Sequence, residues 1–367
     1  MKIAAYEHGG NLYQAARSKG ANVETLLDFS ANINPLGLAP AIKEAIGEHL
    51  PMIIHYPDAQ AAALKEAIST YYRVPVEQLI TGNGAVELLY LLCHMLRPER
   101  VVIPAPTFSE YERAAVAAGA KIDYCLLQEE NGFAFDTASV LKAMTAKSVI
   151  FLGNPNNPTG TMLTRPDIMT ILAAAAEVDS LVVVDESFID FVENDDAVTC
   201  RWLVEKYPNL VIVHSLTKFY AIPGLRLGFA IADPQLIRLL HAGKDPWNVN
   251  SLAQAAGVAA LADCEYRQLS RETVAAAKTT LFQDLQSIGG IKAYPPSVNY
   301  ILINIAETGL TAGQLRGFLF TRNILIRDCS NYPGLNGCFV RTAVKLPEQN
   351  SRLVQALQEI LAGEKHD

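Results

Sequence analysis

Four short clusters of this sequence carry residue types that could do chemistry, and they lie far apart in the chain. Thr81-Gly82-Asn83-Gly84-Ala85 stands just before a helical pattern. Small residues there let backbone N–H groups approach an anion, and a helix start favours negative charge. Asn154-Pro155-Asn156-Asn157-Pro158-Thr159-Gly160 follows an apolar run and makes a stiff loop rich in amide donors and acceptors. Leu181-Val182-Val183-Val184-Asp185-Glu186 closes another apolar run with a carboxylate, which must meet a cation or several donors if the run is buried. Ser215-Leu216-Thr217-Lys218, with Gly224-Leu225-Arg226-Leu227-Gly228 close behind, gathers two hydroxyls, an amine and a guanidinium where a run has just ended. Singly, these read as a tight turn, a plain loop, a strand cap and a surface lysine. Together they supply a phosphate cradle (Asn83, Gly84, Ser215, Thr217, Arg226), a carboxylate for a ring cation (Asp185), an amide for a ring hydroxyl (Asn157) and an amine for an imine (Lys218).

The elements around the clusters say how they could meet. Val101–Pro104, Ile122–Leu127, Ser148–Gly153, Leu181–Asp185, Leu210–Ser215 and Gly228–Ile231 are short, mostly apolar runs, as expected of strands covered on both faces. Helical patterns at Ala85–Met95, Ser109–Ala118 and Arg165–Val178 alternate with them. Such alternation predicts an α/β unit with a mainly parallel central sheet and helices on both faces. Ligands of such sheets bind beyond the carboxyl ends of the strands, where the clusters fall. Past Leu252 the pattern becomes long helical material over Ala253–Gln286, then strands at Tyr300–Ile305, Ile324–Arg327 and Phe339–Thr342 with helices at Leu310–Thr321 and Gln349–Leu361. The expected organisation is a large domain over 49–284 and a small α+β domain built from both chain ends, 1–48 and 285–367. A coenzyme that needs a phosphate cradle, a ring carboxylate, a hydroxyl contact and an amine is pyridoxal 5'-phosphate.

Composition narrows the classes. The 367 residues are 50% hydrophobic, enough for a large core and too many for one small domain. Lys plus Arg total 30 against 38 Asp plus Glu, a net charge of −8, so a general nucleic-acid binder is not expected. No apolar run approaches the roughly 18 residues needed to cross a membrane, and the first residues hold no secretory leader; a cytoplasmic protein with no membrane partner is expected. The six cysteines are scattered, with no CxxC pair, and suit neither a disulfide framework nor a zinc site, so no metal is expected.

In the order GNG, NPNNPTG, DES, SLTK, GLRLG, the clusters resemble the fold type I, or aspartate-aminotransferase-like, enzymes that use pyridoxal 5'-phosphate. Arg226 lies eight positions past Lys218, the spacing of that superfamily's phosphate-binding arginine. The chain is similar to histidinol-phosphate aminotransferases. It is more similar, over essentially its whole length, to the threonine-phosphate decarboxylases of cobalamin biosynthesis. That likeness rests on His8-Gly9-Gly10-Asn11, on Asp28–Gly37, on Phe188-Ile189-Asp190-Phe191, on Ser215–Gly228 and on Asn331-Tyr332-Pro333-Gly334-Leu335.

The resemblance implies a Schiff base on Lys218, Asp185 paired with the ring nitrogen, Asn157 at the ring 3-hydroxyl and Phe108 stacked on the ring. It implies that Tyr56 reaches the coenzyme phosphate of a neighbouring subunit, hence a homodimer. Arg341 and Arg327 match arginines for the substrate's carboxylate and phosphate, and His8 and Asn32 line the entrance. The implied partner is a small phospho-amino acid, decarboxylated from L-threonine O-3-phosphate to (R)-1-amino-2-propanol O-2-phosphate, with serine phosphate a further substrate. The alternative is an aminotransferase for a phosphorylated amine such as histidinol phosphate. Aminotransferases of the superfamily commonly place a tyrosine where this chain has Phe188, which leaves Asn157 to serve the 3-hydroxyl. A regulator that has lost catalysis would be expected to lack the lysine, and Lys218 is present.

Overall fold

A computed structural model describes residues 9–363. The apolar runs form one seven-stranded sheet in the order 79–82, 228–232, 210–215, 181–185, 149–153, 100–105, 121–126. Only 228–232 runs against its neighbours; the rest of the sheet is parallel. Side chains alternate across it: Ile150, Leu152, Val182, Val184, Leu210 and Ile212 enter one core, Val149, Phe151, Val183, Val211 and Val213 the other. Both faces are covered, which is why these strands read as unbroken apolar runs. The strand Leu79–Gly82 has no counterpart in the sequence reading, because Leu-Ile-Thr-Gly is short and merges into the glycine turn.

The topology places the chemistry. Leu79–Gly82 and Leu210–Ser215 both run antiparallel to Gly228–Ala232 between them, so they share one direction with the remaining strands. The carboxyl ends at Gly82, Ala105, Gly153, Asp185 and Ser215 therefore lie along one edge. Gly228 starts its strand at that edge, paired with both Gly82 and Ser215, so Arg226 arrives there too.

A second, antiparallel sheet has the order 327–328, 339–343, 300–304, 292–293. Its core joins Ile301, Ile303 and Val340 to Leu315, Leu319, Leu353 and Leu357. The N-terminal part of the chain contributes to it: Leu27–Asp28 pair in parallel with Ile324–Leu325, and Phe29 is buried in the same core. Ile42, on the helix Pro40–His49, packs instead in the core beside the large sheet. The helix Cys264–Gln286 runs unbroken past 284, with Tyr266 and Val274 in the large core and Leu281 and Leu285 in the small one. The single strand expected over Ile324–Arg327 is two: the chain changes partner at the buried Ile326, and Arg327–Asp328 turn to pair with Phe339–Ala343. Among the described residues no helix is long and apolar enough to cross a membrane.

Candidate active site

A cavity of about 600 Å³ opens at the carboxyl edge of the large sheet. Ten of the residues expected from sequence line it: Lys218, Asp185, Asn157, Ser215, Thr217, Arg226, Phe108, Asn32, Arg327 and Arg341. Gly84 stands directly behind Arg226. Tyr56 does not reach the cavity; it is 78% exposed and stacks on Trp247. His8 lies outside the described residues.

Lys218 sits in the helical turn Leu216–Phe219 that follows the strand ending at Ser215. Its Nζ donates to Ser215 Oγ at 3.1 Å and stands 5.5 Å over the Phe188 ring. Burial pushes its pKa down to about 8, with Asp185 opposing that shift and Arg226 adding to it. Only the neutral amine attacks an aldehyde. The rate at which coenzyme-free protein captures pyridoxal 5'-phosphate should therefore climb with pH and level off just above 8. A lysine of ordinary basicity would keep climbing past 10, and stopped-flow absorbance distinguishes the two.

Asp185 closes its strand with both carboxylate oxygens engaged: Oδ1 accepts from the Ser187 backbone N–H at 2.9 Å, Oδ2 from the Tyr111 hydroxyl at 2.8 Å. These two donors fix the carboxylate in place at the end of the strand, where it can meet a ring cation. Asn157 is oriented by Arg341, whose Nη1 donates to its Oδ1, leaving Nδ2 free to donate elsewhere. The neighbouring Asn156 ties the loop down, accepting from Thr107 Oγ1 at 2.6 Å and donating to Pro106 O at 2.9 Å. Phe188 brings no hydroxyl: it is buried, edge-on to Tyr300 at 5.0 Å.

The anion nest differs from expectation at one residue. Asn83 is exposed and its backbone N–H is taken by Glu87 Oε2 at 2.7 Å, so it does not offer that amide to a phosphate. The helix Ala85–Leu96 starts with no side-chain cap, and Ala85 and Val86 line the cavity. The unpaired N–H groups of that first turn take the place given to Asn83. Gly84 has φ +84°, and a Cβ there would fall 2.4 Å from Arg226 Nη2, so only glycine lets the guanidinium lie against the turn. The Ser215 and Thr217 hydroxyls, 2.8 Å apart, complete the nest.

Two more cations face the same space. Arg327 and Arg341 are directly paired on neighbouring antiparallel strands, and each is only 5% exposed. Arg327 Nη2 donates to Asn331 Oδ1 at 2.8 Å; Arg341 Nη2 donates to Ser30 O at 2.9 Å, and its Nε has no partner. Among the described residues neither contacts a carboxylate. The buried Oδ1 of Asn32 is likewise without a partner. Buried guanidinium groups left unpaired are costly, so the cavity is built for an anionic occupant.

These residues fit pyridoxal 5'-phosphate: a cationic nest at an uncapped helix start for the phosphate, a fixed carboxyl group for the ring nitrogen, an amide donor for the hydroxyl and a poised amine for the aldehyde. Sequence reasoning missed Tyr111 and Ser187. The available signal for Tyr111 was its place one helical turn after Phe108. Among the described residues no cluster of acidic, histidine and cysteine side chains could hold a metal ion.

The family model for aminotransferase class I and II matches residues 24–357. The threonine-phosphate decarboxylase of Salmonella typhimurium is 36% identical over 365 residues, covering 99% of this chain and 99% of that one. Among solved structures, the L-threonine-O-3-phosphate decarboxylase of Porphyromonas gingivalis superposes with a TM-score of 0.81 at 28% identity, over 92% of this chain and 100% of that one. The histidinol-phosphate aminotransferase of Clostridium acetobutylicum superposes at 0.85 with 28% identity and the same coverage.

Proposed function

The chain belongs to the aminotransferase class I and II family, and within it we propose that it decarboxylates L-threonine O-3-phosphate to (R)-1-amino-2-propanol O-2-phosphate for cobalamin biosynthesis, with pyridoxal 5'-phosphate on Lys218. The observation that carries the substrate class is the pair Arg327 and Arg341: two buried guanidinium groups, directly opposite each other and without acids, beyond the nest that serves the coenzyme phosphate. A substrate with both a carboxylate and a phosphate supplies one anion to each. The full-length likeness to the Salmonella decarboxylase supports the reaction type.

Bound here, pyridoxal 5'-phosphate supplies an electron sink for a bond breaking at the substrate's α-carbon, and that chemistry is the coenzyme's own. Ser215, Thr217, Arg226 and the first amides of Ala85–Leu96 would hold its phosphate. Asp185, held in place by Tyr111 and Ser187, would pair with its ring nitrogen. Arg341 is already hydrogen-bonded to Asn157, the residue assigned to the ring hydroxyl, and so takes the carboxylate nearest the ring. Arg327 also lines an outer cavity beside Gly9 and Gly10, and so takes the distal phosphate. Gripping the substrate at both ends, the two arginines would fix how its α-carbon is turned toward the bound coenzyme, and that orientation would favour loss of the carboxylate over loss of the α-hydrogen. Each tenfold preference needs only about 1.4 kcal/mol between the two barriers. Lys218, whose pKa burial brings down to about 8, would be the amine placed to hold the replacing proton for the α-carbon.

Replacing Arg327 with glutamine should lower kcat/KM for threonine phosphate by about a hundredfold, since a buried charge pair is worth about 2–5 kcal/mol. Coenzyme affinity should change little, and steady-state kinetics with a coenzyme titration checks both. The reaction type is tested by incubating the loaded enzyme with threonine phosphate. Release of carbon dioxide without 2-oxoglutarate is expected. A requirement for 2-oxoglutarate with formation of glutamate would move the assignment to an aminotransferase of phosphorylated amines.

The reading also includes a homodimer. The exposed side chains of Leu50, Met52, Ile53, Ile54 and Tyr56 make an apolar surface on one segment, and a second copy of the chain is the partner assigned to it. Sedimentation at micromolar concentration should give twice the chain mass of 39.9 kDa; a monomer would contradict it.

A further inference from the structure

Asp185 is the one acid that both lines this cavity and closes the central strand, and its partners are unequal. The Ser187 N–H is fixed by the backbone, whereas the Tyr111 hydroxyl is held only by the packing of its own ring. That packing is tight. The Tyr111 ring lies parallel to Phe151, 5.1 Å between centroids and 5° between planes, and meets Phe108 edge-on at 5.7 Å and 86°. Tyr111 is 2% exposed, and burial together with the adjacent carboxylate keeps its phenol protonated. It can only donate, and in one direction.

We propose that Tyr111 is a positioning residue acting through Asp185: its hydroxyl keeps the carboxylate aimed into the cavity, while its ring sets Phe108 against the same space. One side chain thereby couples the acid assigned to the ring nitrogen to the aromatic face assigned to the ring. The inference rests on the reading of this cavity as a pyridoxal 5'-phosphate site.

The test is the dissociation constant of pyridoxal 5'-phosphate from coenzyme-free protein. It is measured for wild type, Tyr111→Phe, Asp185→Asn and the double variant. Tyr111→Phe should weaken binding about tenfold, the scale of one hydrogen bond to a charged group. The double variant should match Asp185→Asn alone, because no carboxylate remains to be held. No weakening, or a double variant equal to the sum of the singles, would overturn the inference. If Tyr111→Phe does not fold, 3-fluorotyrosine at 111, a stronger donor of nearly the same shape, should tighten binding, and an unchanged constant would overturn it. A wild type that binds the coenzyme while Tyr111→Phe matches it sinks this inference alone. A wild type that binds none sinks it together with the reading it rests on.

Discussion

Lys218→Ala should abolish covalent capture of the coenzyme and lower kcat by at least about a thousandfold, the scale seen when a catalytic nucleophile is removed. The loss compounds two roles of one amine. The Nζ beside Ser215 is the only lysine amine among the cavity-lining residues, so nothing nearby can replace it in bonding the aldehyde or in returning a proton to the α-carbon. The fold should survive, because the substitution removes a buried amine that costs free energy to desolvate. Circular dichroism and thermal unfolding should thus match wild type while the visible absorbance of the loaded protein disappears. Retained turnover would refute the role.

Asp185→Asn should separate binding from chemistry. The phosphate nest and Lys218 are untouched, so the coenzyme still binds. The asparagine is nearly isosteric and its one amide oxygen can still accept from the Ser187 N–H, so the change removes the charge and the acceptor for Tyr111 while leaving the shape. An amide cannot hold the ring-nitrogen proton as charge builds in the transition state. A fall in kcat of about a thousandfold, or about 4 kcal/mol, is expected. Stopped-flow should show substrate binding intact with the chemical step slowed. A variant losing less than tenfold would mean that Asp185 is a structural cap of its strand.

The sheet was legible for a physical reason. Strands covered on both faces must be apolar throughout, so Leu181–Asp185 and Leu210–Ser215 are found at the very residues where their runs begin and end. Polar residues clustered at or just past the ends of such runs had to be chemical or capped, which is how Asp185, Lys218 and Asn157 stood out. What sequence could not show depended on pairing across distance. Tyr111 meets the strand-end Asp185 from a helix, seventy-four positions away. The opposition of Arg327 and Arg341 is set by a strand of two residues, too short to carry a pattern. Asn83 looked like a cradle residue because Thr-Gly-Asn-Gly precedes a helix, but Glu87, one turn into that helix, bends back to take its amide. Local composition cannot reveal that competition. Tyr56 is exposed and stacks on Trp247, and the role that the resemblance implies for it, on a neighbouring subunit, is not one that a single chain displays.

The most direct measurement is reduction of the loaded protein with borohydride, followed by mass mapping of its peptides. A pyridoxyl phosphate addition confined to the peptide containing Lys218 is the predicted result. Label on a different lysine, or no label after loading, would contradict the convergence of Lys218, Asp185 and the anion nest on one coenzyme.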